Sequence, residues 1–254
     1  MLARPLRLQL PLLCALWGLW SACLARDLPA LVAGWRDGVV GIAAFDPLGA
    51  PRTTLLGTGF VVADGRKVAT NVHVVQAMGE RAGQRLVVLV GQGPGASVRA
   101  ATRLREDAAH DLALLQMEGP PGVALALGAP ASVAEGTAVA FTGYPLGTAL
   151  GLYPVTHQGI VSSVVPVAHP GNSLRPIGAA QLKRLRAPFE IYQLDAVAYP
   201  GNSGSPVFEL DSGHVIAVVN SVLAKASREQ WLKNPSAITY AIPVQHLQAL
   251  LDAP

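Results

Sequence analysis

Three short segments of the sequence carry the side chains needed for nucleophilic catalysis by a serine. A serine hydroxyl attacks well only when an imidazole takes its proton, a carboxylate orients that imidazole, and backbone N–H groups face the developing oxyanion. The chain offers these groups in the order His73, Asp111 and Ser203, each within a segment of small or apolar residues. Because the three segments are far apart in sequence, this chemistry requires a fold that brings them to one cleft.

The elements that must position these residues are predicted to be short β-strands. Runs rich in Val, Ile, Leu and Ala alternate with turn signals such as Asp-Pro, Asp-Gly and Gly-Gln-Gly, which favours an all-β fold. We assign residues 39–45, 57–63, 86–90 and 112–117 to a first barrel. A second barrel would contain residues 138–142, 159–165, 190–194, 206–209, 215–221 and 238–242. The boundary falls near residues 119–122 (GPPG), so the cleft between the barrels is the expected meeting place.

Helical signals are confined to two places. Pro243 is followed by apolar residues at helical spacing, which predicts a C-terminal helix over residues 244–251. A long polar stretch between Pro166 and Pro188 contains an interior helix candidate around residues 179–186. Loops of that length are uncommon unless they are functional.

Eight motifs follow one another along the chain: residues 57–62 (GTGFVV), 70–75 (TNVHVV), 110–115 (HDLALL), 143–147 (GYPLG), 159–162 (GIVS), 194–196 (LDA), 201–204 (GNSG) and 240–243 (YAIP). Each is weak alone, but the ordered set resembles that of the HtrA, or Deg-type, branch of the trypsin-like serine proteases over about residues 39–251. The resemblance implies two six-stranded antiparallel β-barrels, over about residues 36–118 and 123–243, and a short C-terminal helix. It also implies an exported serine endopeptidase that acts on unfolded or extended polypeptides in protein quality control. No cofactor is implied, and a homo-oligomer is compatible with the family.

The resemblance assigns a role to each residue of the chemistry. His73 would be the general base, Asp111 its orienting partner and Ser203 the nucleophile. The backbone N–H groups of Gly201 and Ser203 would form the oxyanion hole, and Gly201 suits this role because it has no Cβ.

Substrate preference and activation can be read from residues near Ser203. Digestive relatives that cut after Lys or Arg have an Asp six residues before the nucleophile, where this chain has Val197. We therefore expect cleavage after small or medium aliphatic residues. The residues expected to line the substrate pocket are Val197, Tyr199, Val219, Asn220 and Ser221. Digestive relatives also have an Asp just before the nucleophile that pairs with a new N-terminal amine. Asn202 cannot do so, and we expect no activating cut beyond leader removal.

The sequence departs from the family pattern at three points. Ser205 replaces the second Gly of Gly-Asn-Ser-Gly-Gly, and Tyr199 stands where relatives commonly have Asn. No PDZ-domain motif is recognised after the protease motifs. We expect these changes to alter rates, preference and regulation.

Two other functions fit some of the same residues. One is a catalytically weak or silent protein that binds peptides in the same cleft by strand addition. The other is an α/β-hydrolase acting on esters, which Ser205 and the upstream positions of His73 and Asp111 oppose. Two decoys also occur. Residues 170–173 (PGNS) repeat part of the nucleophile segment and are interpreted as a turn, and His110 is interpreted as exposed because neighbouring strand residues face opposite sides.

The first 25 residues have the features of an export leader. Arg4 and Arg7 precede an apolar run that is shorter than a membrane span, followed by small residues up to Ala25. We predict a periplasmic or secreted protein that starts near residue 26 and has no membrane span. Lipid attachment at Cys23 is disfavoured because Trp20 fits a lipoprotein box poorly.

Composition argues against disulfide bonds, nucleic-acid binding and a metal site. Both cysteines lie in the leader, so no disulfide is expected in the mature chain. Loss of Arg4 and Arg7 lowers the formal charge from +3 to +1, which gives no electrostatic support for nucleic-acid binding. The six histidines show no metal-ligand spacing, and we predict no metal site.

Overall fold

The computed structural model describes residues 27–79, 83–129, 133–145, 151–167, 189–220 and 238–253. Twelve strands in these ranges form two closed antiparallel barrels. The first barrel contains β1 Val39–Phe45, β2 Thr53–Val62, β3 Lys67–Thr70, β4 Arg85–Val90, β5 Ser97–Asp107 and β6 Leu112–Met117. The second contains β7 Ala138–Gly143, β8 Val155–Pro166, β9 Glu190–Asp195, β10 Pro206–Glu209, β11 Val215–Val219 and β12 Ile238–Pro243. The described helices are α1 Leu28–Trp35, α2 Val72–Gln76 and α3 Val244–Asp252, with short 3₁₀ turns at Arg36–Gly38 and Gly93–Gly95.

The first barrel closes in the order β1-β2-β3-β6-β5-β4. β1 is buried on both faces, because one face fills the barrel and the other meets neighbouring elements. Val40 and Ile42 point into the barrel core, which they share with Val61, Val68 and Leu115. The closed order leaves no strand edge unpaired, so backbone polar groups are satisfied around the ring.

The second barrel repeats this architecture in the order β10-β11-β12-β9-β8-β7. Its interior is filled by large side chains such as Phe141, Tyr192, Leu194 and Ile216. β10 pairs with β11 and β7 immediately after the segment that carries Ser203. The nucleophile candidate therefore enters this barrel directly.

A third apolar cluster lies between the barrels and beneath the terminal helices. Trp35, at the end of α1, is 3% exposed and stacks on Phe208 with ring centroids 4.0 Å apart. Its indole N–H donates to the hydroxyl of Thr142 at 3.0 Å. The aromatic area buried here fixes α1 to the second barrel.

The C-terminal helix α3 joins the two barrels. Val244, Leu247 and Leu250 are buried at helical spacing. The guanidinium of Arg105 in β5 donates to the carbonyls of Leu250 and Leu251 at 3.3 and 3.2 Å, where the last turn has no backbone donors of its own.

The predicted fold class of two six-stranded antiparallel barrels with a short C-terminal helix is confirmed. β3 and β5 were not among the predicted strands, and α1 and α2 were not predicted. His73 lies in the one-turn helix α2, which the sequence did not predict. The helix candidate at 179–186, the turn at 170–173 and the leader at 1–25 lie outside the described residues. In the ranges that the structure describes, no helix is long and apolar enough to cross a membrane.

Candidate active site

His73 is positioned by the short helix α2. β3 ends at Thr70, and Asn71 leads into the helix with an extended backbone. The side-chain amide of Asn71 donates to the backbone carbonyl of Asp111 at 3.0 Å, and the N–H of Val72 donates to the same carbonyl at 3.3 Å. These bonds fix the start of α2 against Asp111, the residue that directly precedes β6, so the imidazole and the carboxylate share one support.

Asp111 receives three hydrogen bonds on its carboxylate. The Nδ1 of His73 lies 2.6 Å from Oδ2, and the backbone N–H of His73 donates to Oδ1 at 3.0 Å. The side-chain amide of Asn220 donates to Oδ2 at 2.7 Å. Burial favours a higher pKa of Asp111, but the bonds and charge of His73 and the bond from Asn220 outweigh it and lower the pKa. The carboxylate therefore stays ionised and can orient the Nδ1–H of the imidazole.

The backbone of Asp111 adopts a left-handed conformation with φ of 56°, which costs energy for a residue with a Cβ. The five hydrogen bonds to its carbonyl and carboxylate hold it there. Such backbone strain commonly occurs at functional sites. The side chains of His73 and Asp111 remain 25% and 13% exposed, so the imidazole is still partly accessible.

Ser203 lies in a segment that we call the nucleophile segment, residues 199–206. Its first part is a turn closed by the N–H of Asn202 and the carbonyl of Tyr199 at 3.0 Å. Pro200 and Gly201 are the central residues, and the φ of Gly201 is 103°. A positive φ at the third residue of a turn, directly after proline, is typical of a type II turn, for which glycine is strongly favoured.

Gly204 permits a close approach between the nucleophile segment and the first barrel. Its φ is 87°, and an added Cβ would lie 2.0 Å from the carbonyl oxygen of Thr58. The carbonyl of Ser203 accepts from the N–H of Thr58 at 2.9 Å. A larger residue at position 204 would force these two chains apart.

Two elements that carry candidate catalytic residues, α2 and the nucleophile segment, approach each other at the interface between the barrels. A Cβ on Gly57 would lie 2.8 Å from Val74, next to His73, and 3.1 Å from the carbonyl of Ser203. Helix α2 and the nucleophile segment therefore flank the same glycine. On the other side, β11 of the second barrel ends at Val219 and supplies Asn220 to the carboxylate of Asp111.

The five residues predicted to line the substrate pocket have different environments. Val197, two residues before the nucleophile segment, and Tyr199, its first residue, are both half-buried. Val219 is completely buried, and its backbone N–H and carbonyl bond to Ser205 and Gly204. Asn220 uses its amide on Asp111. Ser221 lies outside the described residues.

The contact between Asn220 and Asp111 was not foreseen from sequence. Asn220 is 2% exposed, and its backbone N–H donates to the carbonyl of Tyr240 at 2.8 Å. This pairing directs the side chain towards the carboxylate. Thr239, next to Tyr240, donates its hydroxyl to the carbonyl of Ala196 at 2.5 Å and so fixes β12 against the residue before Val197.

The interpretation of His110 as exposed was wrong. Its side chain is 23% exposed, and Nδ1 lies 2.5 Å from the carboxylate of Asp107. The ring stacks on His246 of α3 with centroids 3.8 Å apart and meets the edge of Phe189 at 4.4 Å. The contacts of His110 are thus with Asp107, Phe189 and His246, and α3 covers the ring.

A second histidine lies near the nucleophile segment without belonging to the triad. His157 in β8 stacks on Phe141 with centroids 4.8 Å apart, and its ring lies 6.1 Å from that of Tyr199. Burial lowers the pKa of His157, so this imidazole is neutral near pH 7 and packs as an aromatic ring.

The described residues contain no cluster of three or more His, Cys, Asp or Glu side chains that could hold a metal ion. The α/β-hydrolase alternative is excluded by the fold, because Ser203 is followed by β10 rather than by a helix and lies between two barrels.

Comparison with known proteins finds relatives among the HtrA and DegP-like serine proteases, as the motifs indicated. The probable periplasmic serine endoprotease DegP-like of Halomonas elongata is 29% identical over 197 residues, covering 78% of this chain and 34% of the relative. Serine protease HTRA2 of Bos taurus is 33% identical over 196 residues, covering 77% of this chain and 35% of the relative. The chain thus spans about a third of the length of these relatives.

Solved structures share the fold. Deg5 superposes with a TM-score of 0.60 at 24% identity, covering 87% of this chain and 90% of that one. The active form of the Rv3671c protease from M. tuberculosis gives a TM-score of 0.60 at 23% identity, with coverages of 88% and 85%.

The family model described as the trypsin-like peptidase domain matches residues 57–218, a range that includes His73, Asp111 and Ser203. The predicted resemblance to the trypsin-like peptidases and to the HtrA proteases is confirmed. The chain belongs to the trypsin-like peptidase family.

Proposed function

We propose that this protein is an exported serine endopeptidase that uses His73, Asp111 and Ser203 as its catalytic triad. The observation that carries the proposal is the 2.6 Å contact between the imidazole and an ionised carboxylate, set across the barrel interface from a serine held in a rigid turn. Without that carboxylate, the imidazole would have no fixed tautomer to accept the serine proton.

The proposed reaction follows from these positions. The Nε2 of His73 takes the proton of Ser203 as its oxygen forms a bond to the scissile carbonyl carbon, and Asp111 stabilises the resulting imidazolium through Nδ1–H. The N–H groups of Gly201 and Ser203 stabilise the oxyanion. The imidazolium then protonates the leaving amine, which leaves an acyl-enzyme. Water, deprotonated by the same imidazole, attacks the acyl carbon. The imidazolium then returns the proton to the oxygen of Ser203 as the ester bond breaks and the carboxylic acid product leaves.

We propose unfolded or extended polypeptides as substrates, cut after small or medium aliphatic residues. Val197 places an aliphatic side chain near the nucleophile segment, so a Lys or Arg side chain would lose water without gaining a partner. Peptide-library profiling tests this preference. Val197→Asp should increase the fraction of cuts after Lys or Arg, and a dominant Lys or Arg preference in the unmodified protein would contradict the assignment.

Activation is proposed to need no cut beyond leader removal. Asn202, within the nucleophile segment, is completely buried, and its uncharged amide cannot form an ion pair with an N-terminal amine. Protein starting at Arg26 should therefore hydrolyse peptides as purified. Activity that appears only after a second cleavage would refute this expectation.

Export to the periplasm is proposed from the leader pattern and from the periplasmic DegP-like relatives. Localisation of the full chain by fractionation, with mass spectrometry of the mature N-terminus, tests both the compartment and cleavage near Ala25. A homo-oligomer remains a proposal to be tested by light scattering.

The alternative function is a weak or silent peptide-binding protein on the same fold. A fluorophosphonate probe separates the two, because only an activated serine reacts quickly with it. The probe should label the unmodified protein but not Ser203→Ala, and only the former should release peptides from casein. Peptide binding by both proteins without labelling or cleavage would establish the silent alternative.

A further inference from the structure

Thr58 in β2 connects the first barrel to the nucleophile segment. It is completely buried, and its backbone N–H donates to the carbonyl of Ser203 at 2.9 Å. Its hydroxyl donates to the carbonyl of Gly201 at 2.7 Å and accepts from the N–H of Tyr144 at 2.9 Å. The hydroxyl of Thr70 donates to the carbonyl of Thr58 at 2.7 Å. All the polar groups of Thr58 are thus used at the interface between the barrels.

The two carbonyls that Thr58 holds belong to the two residues of the proposed oxyanion hole. A peptide unit is planar, so fixing its carbonyl also fixes the N–H of the following residue. The unit between Gly201 and Asn202 is held by Thr58 at its oxygen and by the carbonyl of Tyr199 at its N–H. Rotation of this unit would break both bonds.

The peptide unit between Ser203 and Gly204 is also held at both its oxygen and its N–H. The carbonyl of Ser203 bonds to Thr58, and the N–H of Gly204 donates to the carbonyl of Val219 at 2.9 Å. The N–H of Ser203 lies between these two fixed units, and the N–H of Gly201 directly precedes the first of them. Only a few backbone torsions therefore remain to set the directions of both N–H groups.

The Thr58 hydroxyl also connects two parts of the second barrel. It bridges the carbonyl of Gly201 and the N–H of Tyr144, which follows β7. A valine has nearly the same shape but neither donates nor accepts, so it would leave a buried carbonyl and a buried N–H without partners. The nucleophile segment could regain a bond for Gly201 only by turning that peptide unit.

We propose that Thr58 is a positioning residue that sets the geometry of the oxyanion hole through its hydroxyl. The inference rests on the proposed function, because it concerns how the N–H groups of Gly201 and Ser203 are aimed at a developing oxyanion. Thr58 itself contacts neither the imidazole of His73 nor the carboxylate of Asp111 among its recorded hydrogen bonds.

The test compares Thr58→Val with Thr58→Ser. Loss of the hydroxyl should lower kcat by about 10- to 100-fold with KM changed less than about threefold, because the oxyanion forms only after binding. Affinity for a peptide aldehyde or boronate, which places an oxyanion in the site, should fall by a similar factor. Thr58→Ser keeps the donor and should remain within about threefold of the unmodified protein. The acidic limb of the kcat/KM pH profile should stay in place in both variants.

Thr142→Val is the matched control. Thr142 is also completely buried, and its hydroxyl bonds to Trp35 and Thr156 rather than to the nucleophile segment. We expect it to lower thermal stability while leaving kcat within about twofold. Should Thr58→Val fail to fold, Thr58→Cys, with its weak donor, is measured in its place with the same expectation.

The outcomes separate this inference from the proposed function. If the unmodified protein reacts with the fluorophosphonate and cleaves peptides, but Thr58→Val behaves like Thr142→Val, the positioning role is overturned while the triad stands. A fall in activity that Thr58→Ser does not restore, or one confined to KM, also overturns it. If the unmodified protein neither reacts nor cleaves, the proposed function fails and the inference falls with it.

Discussion

Asn220→Ala tests whether this asparagine supports the carboxylate of Asp111 or lines the substrate pocket. In the structure its amide donates to Oδ2 of Asp111 at 2.7 Å, whereas its predicted role was to line the substrate pocket. If it supports the carboxylate, its removal should slow the chemical step. If it lines the pocket, its removal should change binding and preference.

The expected size follows from the contact. A hydrogen bond to a charged group contributes about 1.5–3 kcal/mol, and 1.36 kcal/mol corresponds to about a tenfold change in rate. Asn220 is 2% exposed, so water replaces its amide poorly, but Asp111 keeps two bonds from His73. We therefore expect kcat to fall by about 30-fold.

Steady-state kinetics on a peptide cut at one bond, together with the melting temperature, provides the assay. KM and the preference before the scissile bond should stay within about twofold. The pKa of Asp111, lowered in the intact protein, should rise in Asn220→Ala. Because a lowered carboxylate pKa stabilises the fold above that pKa, the variant should lose stability at a higher pH on acidification. An unchanged kcat with altered KM and preference would refute the supporting role.

Two further predictions concern stability, and a third compares activity with stability. Trp35→Ala removes a buried ring stacked on Phe208 and should lower the free energy of unfolding by about 3–5 kcal/mol in urea titrations. A loss below about 1 kcal/mol would mean that the packing of α1 contributes little to stability. Burial and the neighbouring His110 lower the pKa of His246 to about 4, so protons bind the unfolded chain first and stability should fall between about pH 6.5 and 4. His246→Phe should flatten that part of the melting-temperature profile, and an unchanged slope would contradict this cause. Gly204→Ala should abolish activity, because the added Cβ would lie 2.0 Å from the carbonyl oxygen of Thr58. Gly136 also has a positive φ, of 86°, but has open space around it, so Gly136→Ala should lower stability only. Equal effects of the two variants on activity would contradict the packing argument.

The strands that the sequence predicted best are those with continuous apolar runs. β1 and β6 have the predicted bounds because nearly all their residues are buried. β5 has the sequence SVRAATRLRED and is mostly exposed or half-buried, so it offered no apolar pattern. β3 has only four residues. Both strands are specified by their neighbours in the closed ring rather than by their own composition.

Helix α1 shows the same dependence on tertiary contacts. It is eight residues long, too short to be stable alone in water. Its anchor is Trp35, which bonds to Thr142 and stacks on Phe208, more than 100 residues away. A local pattern could not reveal this contact.

For the candidate site, residue types and order predicted the dyad of His73 and Asp111, which the fold brings into contact. They could not tell where a neighbouring polar side chain would point. Asn220 faces Asp111 because its backbone pairs with Tyr240. The exposure of His110 was misjudged because α3 covers the side of the turn that would otherwise face solvent.

The division of the dyad and the nucleophile between two barrels affects how the protein fails under stress. A small shift of one barrel against the other would separate hydroxyl from imidazole while leaving each ring of strands closed. Inactivation by heat or urea should therefore run ahead of the loss of β-sheet circular dichroism. Under the proposed function, a damaged molecule would lose peptide hydrolysis before it began to aggregate.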